Sequence, residues 1–140
     1  QVQEMLYIER GGEDQIKDEL IAYNSLIPNG SELVATLMFE IDNVQRRAEF
    51  LSGLGGVENT VKLILDSEEI IGVPEMDVER TNESGKASSI HFMHFPFNES
   101  QSEKFKDLKK SVTLSINHQI YGHLAIVPEV SRKALSVDLD

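Results

Sequence analysis

The stretch "SSIHFMHFPF", residues 88–97, decides the fold, because its composition and its alternating side chains favour a β-strand. It is rich in aromatic residues, it contains Pro96, and a long polar segment precedes it. Aromatic residues are enriched in strands, whereas proline disrupts the interior of a helix. We therefore predict a strand here.

Two of the four histidines lie in this strand, three residues apart. On a helix, His91 and His94 would share a face and could bind one metal ion. In a strand, successive side chains point to opposite faces, so the sheet separates residues that are three apart. We therefore expect at most one of the two to join a given site. His91 shares its face with Ser89, Met93 and Phe95, and His94 shares the other face with Ile90 and Phe92.

Helical and alternating patterns recur outward from this strand in both directions. Apolar residues at helical spacing predict helices over residues 1–10, 13–24, 43–54, 98–108 and 128–139. Alternation predicts strands over residues 32–41, 57–65, 70–73, 87–97, 111–116 and 121–127. Several links are too short for parallel crossovers. The prediction is an α+β fold, with a mostly antiparallel sheet of about five to six strands and helices packed mainly on one face.

Two of the predicted helices begin at a capping signal. Asp42 with Gln45 fits a capping box, and so does Asn98 with Gln101. The helical period then assigns an inner face to each helix. These inner faces are Val44, Ala48 and Leu51 in the first helix, and Phe105 and Leu108 in the second.

Length and composition indicate one domain over residues 1–140. The chain is 40% hydrophobic, which suffices for one core. It contains no run of about 18 apolar residues, so no membrane partner is expected. No secretory signal is visible, and we expect a cytoplasmic protein.

The charged residues and the missing cysteines exclude several classes of function. There is no cysteine, so disulfides, thiolate catalysis and cysteine-ligated metals are excluded. The net charge is −11, and phosphate backbones would repel such a protein, so nucleic acid is not an expected partner. The basic run "FKDLKK", residues 105–110, suits the C-terminal turn of a helix.

A third histidine gives the first candidate site. His118 extends the apolar face of the strand that contains Val112, Leu114 and Ile116, so it can lie near His91 or His94 if the two strands are neighbours. Such a site with a carboxylate would suit iron, manganese or zinc. The alternative is that each histidine is an independent, hydrogen-bonded structural residue. The sequence leaves both open, and His123 adds a weaker fourth candidate.

The chain also resembles a known family. The segments "QVQEML", "IER", "AYNSLIP", "ATLMFE", "SSIHF" and "INH", with "VER" at residues 78–80, stand in the order found in an uncharacterised bacterial family, domain of unknown function 3501. The resemblance covers nearly all of the chain. Members usually carry a further N-terminal segment, so the resemblance implies an N-terminally incomplete member.

The resemblance implies candidate residues and a cellular setting. Family members lie beside genes for rubrerythrin-like proteins and iron–sulfur oxidoreductases, which implies a role near peroxide defence or iron-dependent redox work and a protein partner of those kinds. His94 departs from the family pattern, which favours a basic residue such as arginine there. The candidate site residues that match are His91, His118, Glu9, Arg10, Glu79, Arg80, Tyr23 and Asn24, with His91, His118 and Glu4 as candidate metal ligands.

Three functional hypotheses follow from these observations. The first is a non-catalytic accessory or binding protein in an iron, redox or peroxide-defence system. The second is a small enzyme or a His/carboxylate metal-binding protein that uses His91 and His118. The third is a self-associating domain, a homodimer, whose histidines are structural.

Overall fold

The computed structural model describes residues 13–75 and 80–140. The predicted first helix lies outside these ranges. Four candidate residues, Glu4, Glu9, Arg10 and Glu79, also fall outside the described residues, so their roles stay predictions.

The described part of the chain forms four α-helices and seven strands. Short 3-10 turns lie at Asn24–Leu26 after the first helix, at Val57–Asn59 before the second strand, and at Ser136–Asp138 after the last helix. The helices are α1 (Glu13–Tyr23), α2 (Val44–Ser52), α3 (Glu99–Lys106) and α4 (Glu129–Leu135). The strands are β1 (Glu32–Met38), β2 (Val61–Leu65), β3 (Glu68–Ile71), β4 (Val73–Pro74), β5 (Ile90–Pro96), β6 (Val112–His118) and β7 (Tyr121–Ile126).

The strands confirm the predicted α+β class and its antiparallel pairing, but they divide between two sheets. One sheet has the order β1-β5-β4 and the other has the order β3-β2-β6-β7. The strand predicted over residues 70–73 is split, because its first part pairs with β2 and its second part with β5. A sequence pattern reports strand character, and it carries no signal for this change of partner.

Gly72 is the residue at which the chain passes from one sheet to the other. Its N–H donates to the carbonyl oxygen of Val61 at 2.9 Å. A Cβ atom at Gly72 would lie 3.0 Å from both the ring of Phe95 and the oxygen of Val61. Only glycine lets the backbone approach both neighbours so closely. The two sheets therefore share one core at this point.

The inner face of β5 lies at the centre of that core. His91, Met93 and Phe95 share one face, as the strand period predicted, and all three are nearly inaccessible to solvent. They pack with residues of β1, β2 and β6 and with the helices, among them Leu33, Leu63 and Phe105. The opposite face of β5 is partly exposed.

Several local predictions were wrong by a residue or a turn. Asn43, not Asp42, caps α2, since its side chain accepts from the N–H of Arg46. The inner face of α2 therefore shifts: Leu51 is buried, whereas Val44 is 69% exposed. At the other capping box, Asn98 and Gln101 bond as predicted. The remaining differences are that Ala48 is exposed, that residues 57–59 form a 3-10 turn before β2, and that Leu108 lies beyond the end of α3 and is exposed.

Among the described helices, none is long and apolar enough to cross a membrane.

Candidate functional site

The two faces of β5 carry two polar clusters. We call the set of His91, Glu58 and Thr81 the inner cluster, and the set of Glu32, His94 and Glu75 the outer cluster. The strand period separates His91 from His94, as predicted, so each histidine belongs to one cluster only.

His91 of the inner cluster is completely buried. Its Nε2–H donates to the carbonyl oxygen of Ser88 at 2.7 Å, and its ring meets Phe39 edge-on at 6.1 Å between centroids. Burial lowers the pKa of His91, although the Ser88 bond and the charge of Glu58 oppose this shift. The ring is therefore neutral near pH 7, and its Nδ1 keeps a buried lone pair that no described protein atom contacts as a donor.

Glu58 supplies the carboxylate of the inner cluster, and sequence reasoning did not select it. It is 9% exposed. The hydroxyl of Thr81 donates to its carboxylate at 2.9 and 3.1 Å, and the same hydroxyl oxygen accepts from the N–H of Gly56 at 2.9 Å. These bonds tie the turn before β2 to the segment that follows residue 80. The carboxylate is thus held by a hydroxyl, with a neutral histidine in electrostatic range.

His118 lies in the other sheet, on β6, and has no described hydrogen-bond partner in common with His91. Its Nε2–H donates to the carbonyl oxygen of Gly55 at 2.9 Å, and its Nδ1 accepts from the N–H of Ile120 at 3.2 Å. Both ring nitrogens are therefore used by the backbone. In this arrangement His118 fixes the β6–β7 turn.

The predicted site of His91 and His118 with a carboxylate therefore gains no support from these contacts, and it stays a prediction. The described residues include no group of three histidine or carboxylate side chains arranged to hold a metal ion. In the inner cluster, the Nδ1 atom of His91 has no described hydrogen-bond partner.

The outer cluster places one imidazole between two carboxylates. His94 Nδ1 lies 3.0 Å from Glu32 Oε2, and its Nε2 lies 2.6 Å from Glu75 Oε1. The strand register explains the arrangement, because Glu32 lies on β1 beside the partner of His94 and Glu75 directly follows β4. All three side chains are largely buried, with 14% to 20% of their surface exposed.

The two carboxylates hold His94 as a cation. Each carboxylate oxygen can only accept, so both ring nitrogens must carry a proton. Burial opposes the charge, but the bonds from Glu75 and Glu32 outweigh it, and the pKa of His94 is raised. The bond from His94 in turn lowers the pKa of Glu75. The cluster therefore joins β1, β5 and the end of β4 through charge-assisted hydrogen bonds.

Arg80 and the turn after α1 flank the outer cluster. The guanidinium carbon of Arg80 lies 5.0 Å above the ring of Phe92, and Nη1 donates to the carbonyl oxygen of Ile90 at 3.2 Å. Its charge acts on both Glu75 and His91. Ser25 also lies close enough to Glu75 to lower the pKa of its carboxyl group. Of the predicted site residues, Arg80 thus lies beside the outer cluster. Tyr23 ends α1, and Asn24 is the first residue of the 3-10 turn that contains Ser25.

The outer cluster predicts a pH-dependent contribution to stability. We expect the difference in unfolding free energy between the natural chain and His94→Gln to be about 1 kcal/mol or more at about pH 5.5. This contribution is fully present below the unfolded histidine pKa of about 6.5 and is lost as pH rises through the raised pKa of His94. At the acid end it is lost as pH falls through the lowered pKa of Glu75. Urea unfolding across the pH range measures it.

His123→Gln is the matched control for this experiment, because His123 is exposed. The effect of His94→Gln should vary with pH by more than the effect of His123→Gln, because the pKa of His94 is raised. The lowered pKa of His91 acts in every variant and cancels in the difference. A His94→Gln effect that stays constant between pH about 5.5 and about 9 would contradict the ionic account of the cluster.

The comparisons with known proteins agree with this fold. The family model described as "protein of unknown function (DUF3501)" matches residues 1–139. The chain belongs to this family. The predicted resemblance is thereby confirmed, and the family description gives no activity. No protein of curated function matches.

A solved structure of similar fold comes from Burkholderia pseudomallei and is described as a novel protein of unknown function. It is 34% identical to this chain, with a TM-score of 0.84. The match covers 99% of this chain and 72% of the Burkholderia chain. This likeness confirms the fold and adds no biochemical role.

Sequence reasoning missed Glu32, Glu75 and Glu58. The sequence did contain a signal for Glu32, because this residue lies on the outward face of the alternating segment 32–41. The pairings of β1 and β4 with β5 could not be derived from the sequence, and Glu32 and Glu75 reach His94 only through these two pairings. His94 was set aside because it departs from the family pattern, although it makes the strongest polar contacts on β5.

Proposed function

We propose that the protein is a non-catalytic accessory or binding protein of a bacterial iron, redox or peroxide-defence system, acting in the cytoplasm. The observation that supports this most is how the histidines are used. His118 is bonded at both nitrogens by the backbone, and His94 is bonded at both by carboxylates. A histidine whose two ring nitrogens are both hydrogen-bonded within the protein is better suited to stabilising the fold than to transferring protons.

The outward face of the β1-β5-β4 sheet is the surface that we propose for binding. Met38 and Ile90 are register partners at the open end of β1 and β5, and they are 53% and 37% exposed. Beside them lies Phe92 with Arg80 stacked on its ring. Exposed apolar side chains next to an arginine and an aromatic ring are typical of protein-binding surfaces. The outer cluster lies further along this face and holds its strands together.

The partner that we propose is a rubrerythrin-like or iron–sulfur oxidoreductase protein. The support for this class is the gene setting implied by the family resemblance. The position of Arg80 adds to it, because Arg80 matches the family pattern and stacks on Phe92 of this surface.

A pull-down of the full chain from its native host tests the proposal. We expect recovery of a rubrerythrin-like or iron–sulfur partner, and loss of most of that recovery in Met38→Glu, which places a charge in the apolar surface. Val44→Glu on α2 is the matched control, since Val44 is similarly exposed and lies on another element. Recovery of neither partner class, or equal loss in both variants, would count against the proposal.

The second candidate is a small enzyme or metal-binding protein that uses His91 and His118. One observation favours it, the free Nδ1 of His91 with Glu58 in electrostatic range. Titration of untagged protein with iron, manganese or zinc decides it. One equivalent of bound metal that is lost in His91→Gln would support this function over the first.

A further inference from the structure

We infer that β7 is a self-pairing edge, through which two copies of this chain join their β3-β2-β6-β7 sheets into one continuous eight-stranded sheet. This surface lies in a different sheet from the one proposed above, so the two proposals stand independently.

The open side of β7 carries backbone groups that are ready to pair. Of the strands that the structure describes, β6 alone pairs with β7. The N–H of Val127 donates to Val112 of β6, so alternation turns the backbone groups of residues 125, 123 and 121 toward β6 as well. The N–H and C=O groups of Gly122, Leu124 and Ile126 point to the open side. An exposed row of this kind is a template for another strand.

The edge lacks the features by which strands usually avoid such pairing. Residues 119–128, "QIYGHLAIVP", contain no aspartate, glutamate, lysine or arginine, although the chain as a whole has a net charge of −11. The other edge strands each contain a glutamate or a proline: Glu32 in β1, Glu68 and Glu69 in β3, and Pro74 in β4. Charge and proline protect edges. Two copies of this acidic chain therefore approach one another with least repulsion at β7.

The side chains of β7 complement themselves when two copies pair antiparallel about a twofold axis. The outward-pointing backbone groups are centred on Leu124, so the register with most hydrogen bonds places Leu124 opposite Leu124 of the second copy. Gly122 then faces Ile126, and His123 faces Ala125. Small residues meet large ones on both faces of the joined sheet, and the two leucines meet at the axis.

A groove on the outward face supports the same register. It has a volume of about 570 Å³, and Gly122 and Leu124 line it together with Lys62, Ser115 and Asn117. Leu124 and Ile126 are 71% and 79% exposed on this side of the sheet. In the twofold pair, Ile126 of each copy lies opposite Gly122 of the other, at the mouth of the groove. Pairing therefore buries the two most exposed apolar side chains of β7.

A charge-swap experiment on Leu124 tests the inference. Leu124→Glu and Leu124→Lys each place like charges directly opposite at the axis, which is unfavourable in a strand pair. We expect sedimentation equilibrium to show a dimer for the natural chain and dimerisation at least about tenfold weaker for each variant alone. An equimolar mixture of the two variants should restore the dimer. Val44→Glu, an exposed change on α2, should leave it intact.

The rescue by mixing distinguishes the twofold register from an effect of overall charge. Glu and Lys change the net charge in opposite directions, so an effect of overall charge would weaken one variant and strengthen the other. Leu124 is exposed, so we expect both variants to keep the fold, and circular dichroism checks this. A natural chain that remains monomeric up to high concentration would overturn the inference, as would a mixture that fails to dimerise.

Discussion

Replacing Arg132 with methionine is expected to lower the unfolding free energy by about 3 kcal/mol. Arg132 lies on α4 and is 4% exposed. Its guanidinium donates to the carbonyl oxygens of Phe105 at 2.6 Å and Asp107 at 2.9 Å, and also to that of Lys110. It thereby caps the C-terminal end of α3 and fixes α4 against it.

The physical reason is that the change removes the donor from the buried carbonyl oxygen of Phe105 and from that of Lys110, whereas the oxygen of Asp107 still accepts from the N–H of Lys110. The Phe105 oxygen lies in the last turn of α3, where the helix itself supplies no N–H. The guanidinium also packs 5.5 Å from the centre of the Phe105 ring. A lysine has one ammonium and cannot span the same carbonyls, so Arg132→Lys should recover only part of the loss.

Thermal and urea unfolding measure this prediction. A loss of about 3 kcal/mol corresponds to a fall in melting temperature of about 10 °C for a domain of this size. Lys133→Met is the control, because Lys133 is the next residue but forms an exposed ion pair with Glu129, and exposed ion pairs contribute little to stability. Equal effects from the two variants would show that Arg132 does not cap α3.

Replacing Gly55 with alanine is the second large effect, and we expect a loss of about 3 kcal/mol. A Cβ atom at Gly55 would lie 2.3 Å from the carbonyl oxygen of Gly85 and 3.1 Å from the side chain of Thr81. The nearest obstacle is backbone, so a change of rotamer cannot relieve it. The same region contains the bond from Thr81 to Glu58, so the inner cluster should loosen as well.

Gly53→Ala provides the matched control for this prediction. Its Cβ atom would meet only the flexible end of Ile120 at 3.1 Å, besides a backbone oxygen at 3.8 Å. Its backbone is in the right-handed helical region, which alanine accepts. We therefore expect an effect within about 0.5 kcal/mol on urea unfolding. Similar losses in both variants would indicate that the Gly55–Gly85 approach is not the cause.

Local patterns in the sequence predicted most of the elements. Alternation in "SSIHFMHFPF" identified β5 and the opposite faces of His91 and His94, and Asn98 with Gln101 identified the start of α3. These features depend on residues a few positions apart. The same reasoning placed the N-cap of α2 one residue too early, at Asp42, because Asp42 and Asn43 are both good N-cap residues.

The polar clusters could not be predicted in the same way. Glu32 and Glu75 meet His94 from strands that are distant in sequence, and Glu58 meets Thr81 across the core. Arg132 has the sequence pattern of a solvated helix residue, and it is buried only because α4 docks on the end of α3. In each case the partner is set by tertiary pairing, on which the local periodicity carries no information.

The measurement that tests the central claim most directly is the binding of the purified full chain to a purified rubrerythrin-like or iron–sulfur oxidoreductase protein of its own host, by isothermal titration calorimetry. We predict saturable binding that Met38→Glu weakens by about tenfold or more and that Val44→Glu leaves unchanged. Absence of binding to both partner classes, or equal binding by both variants, would contradict the proposed role.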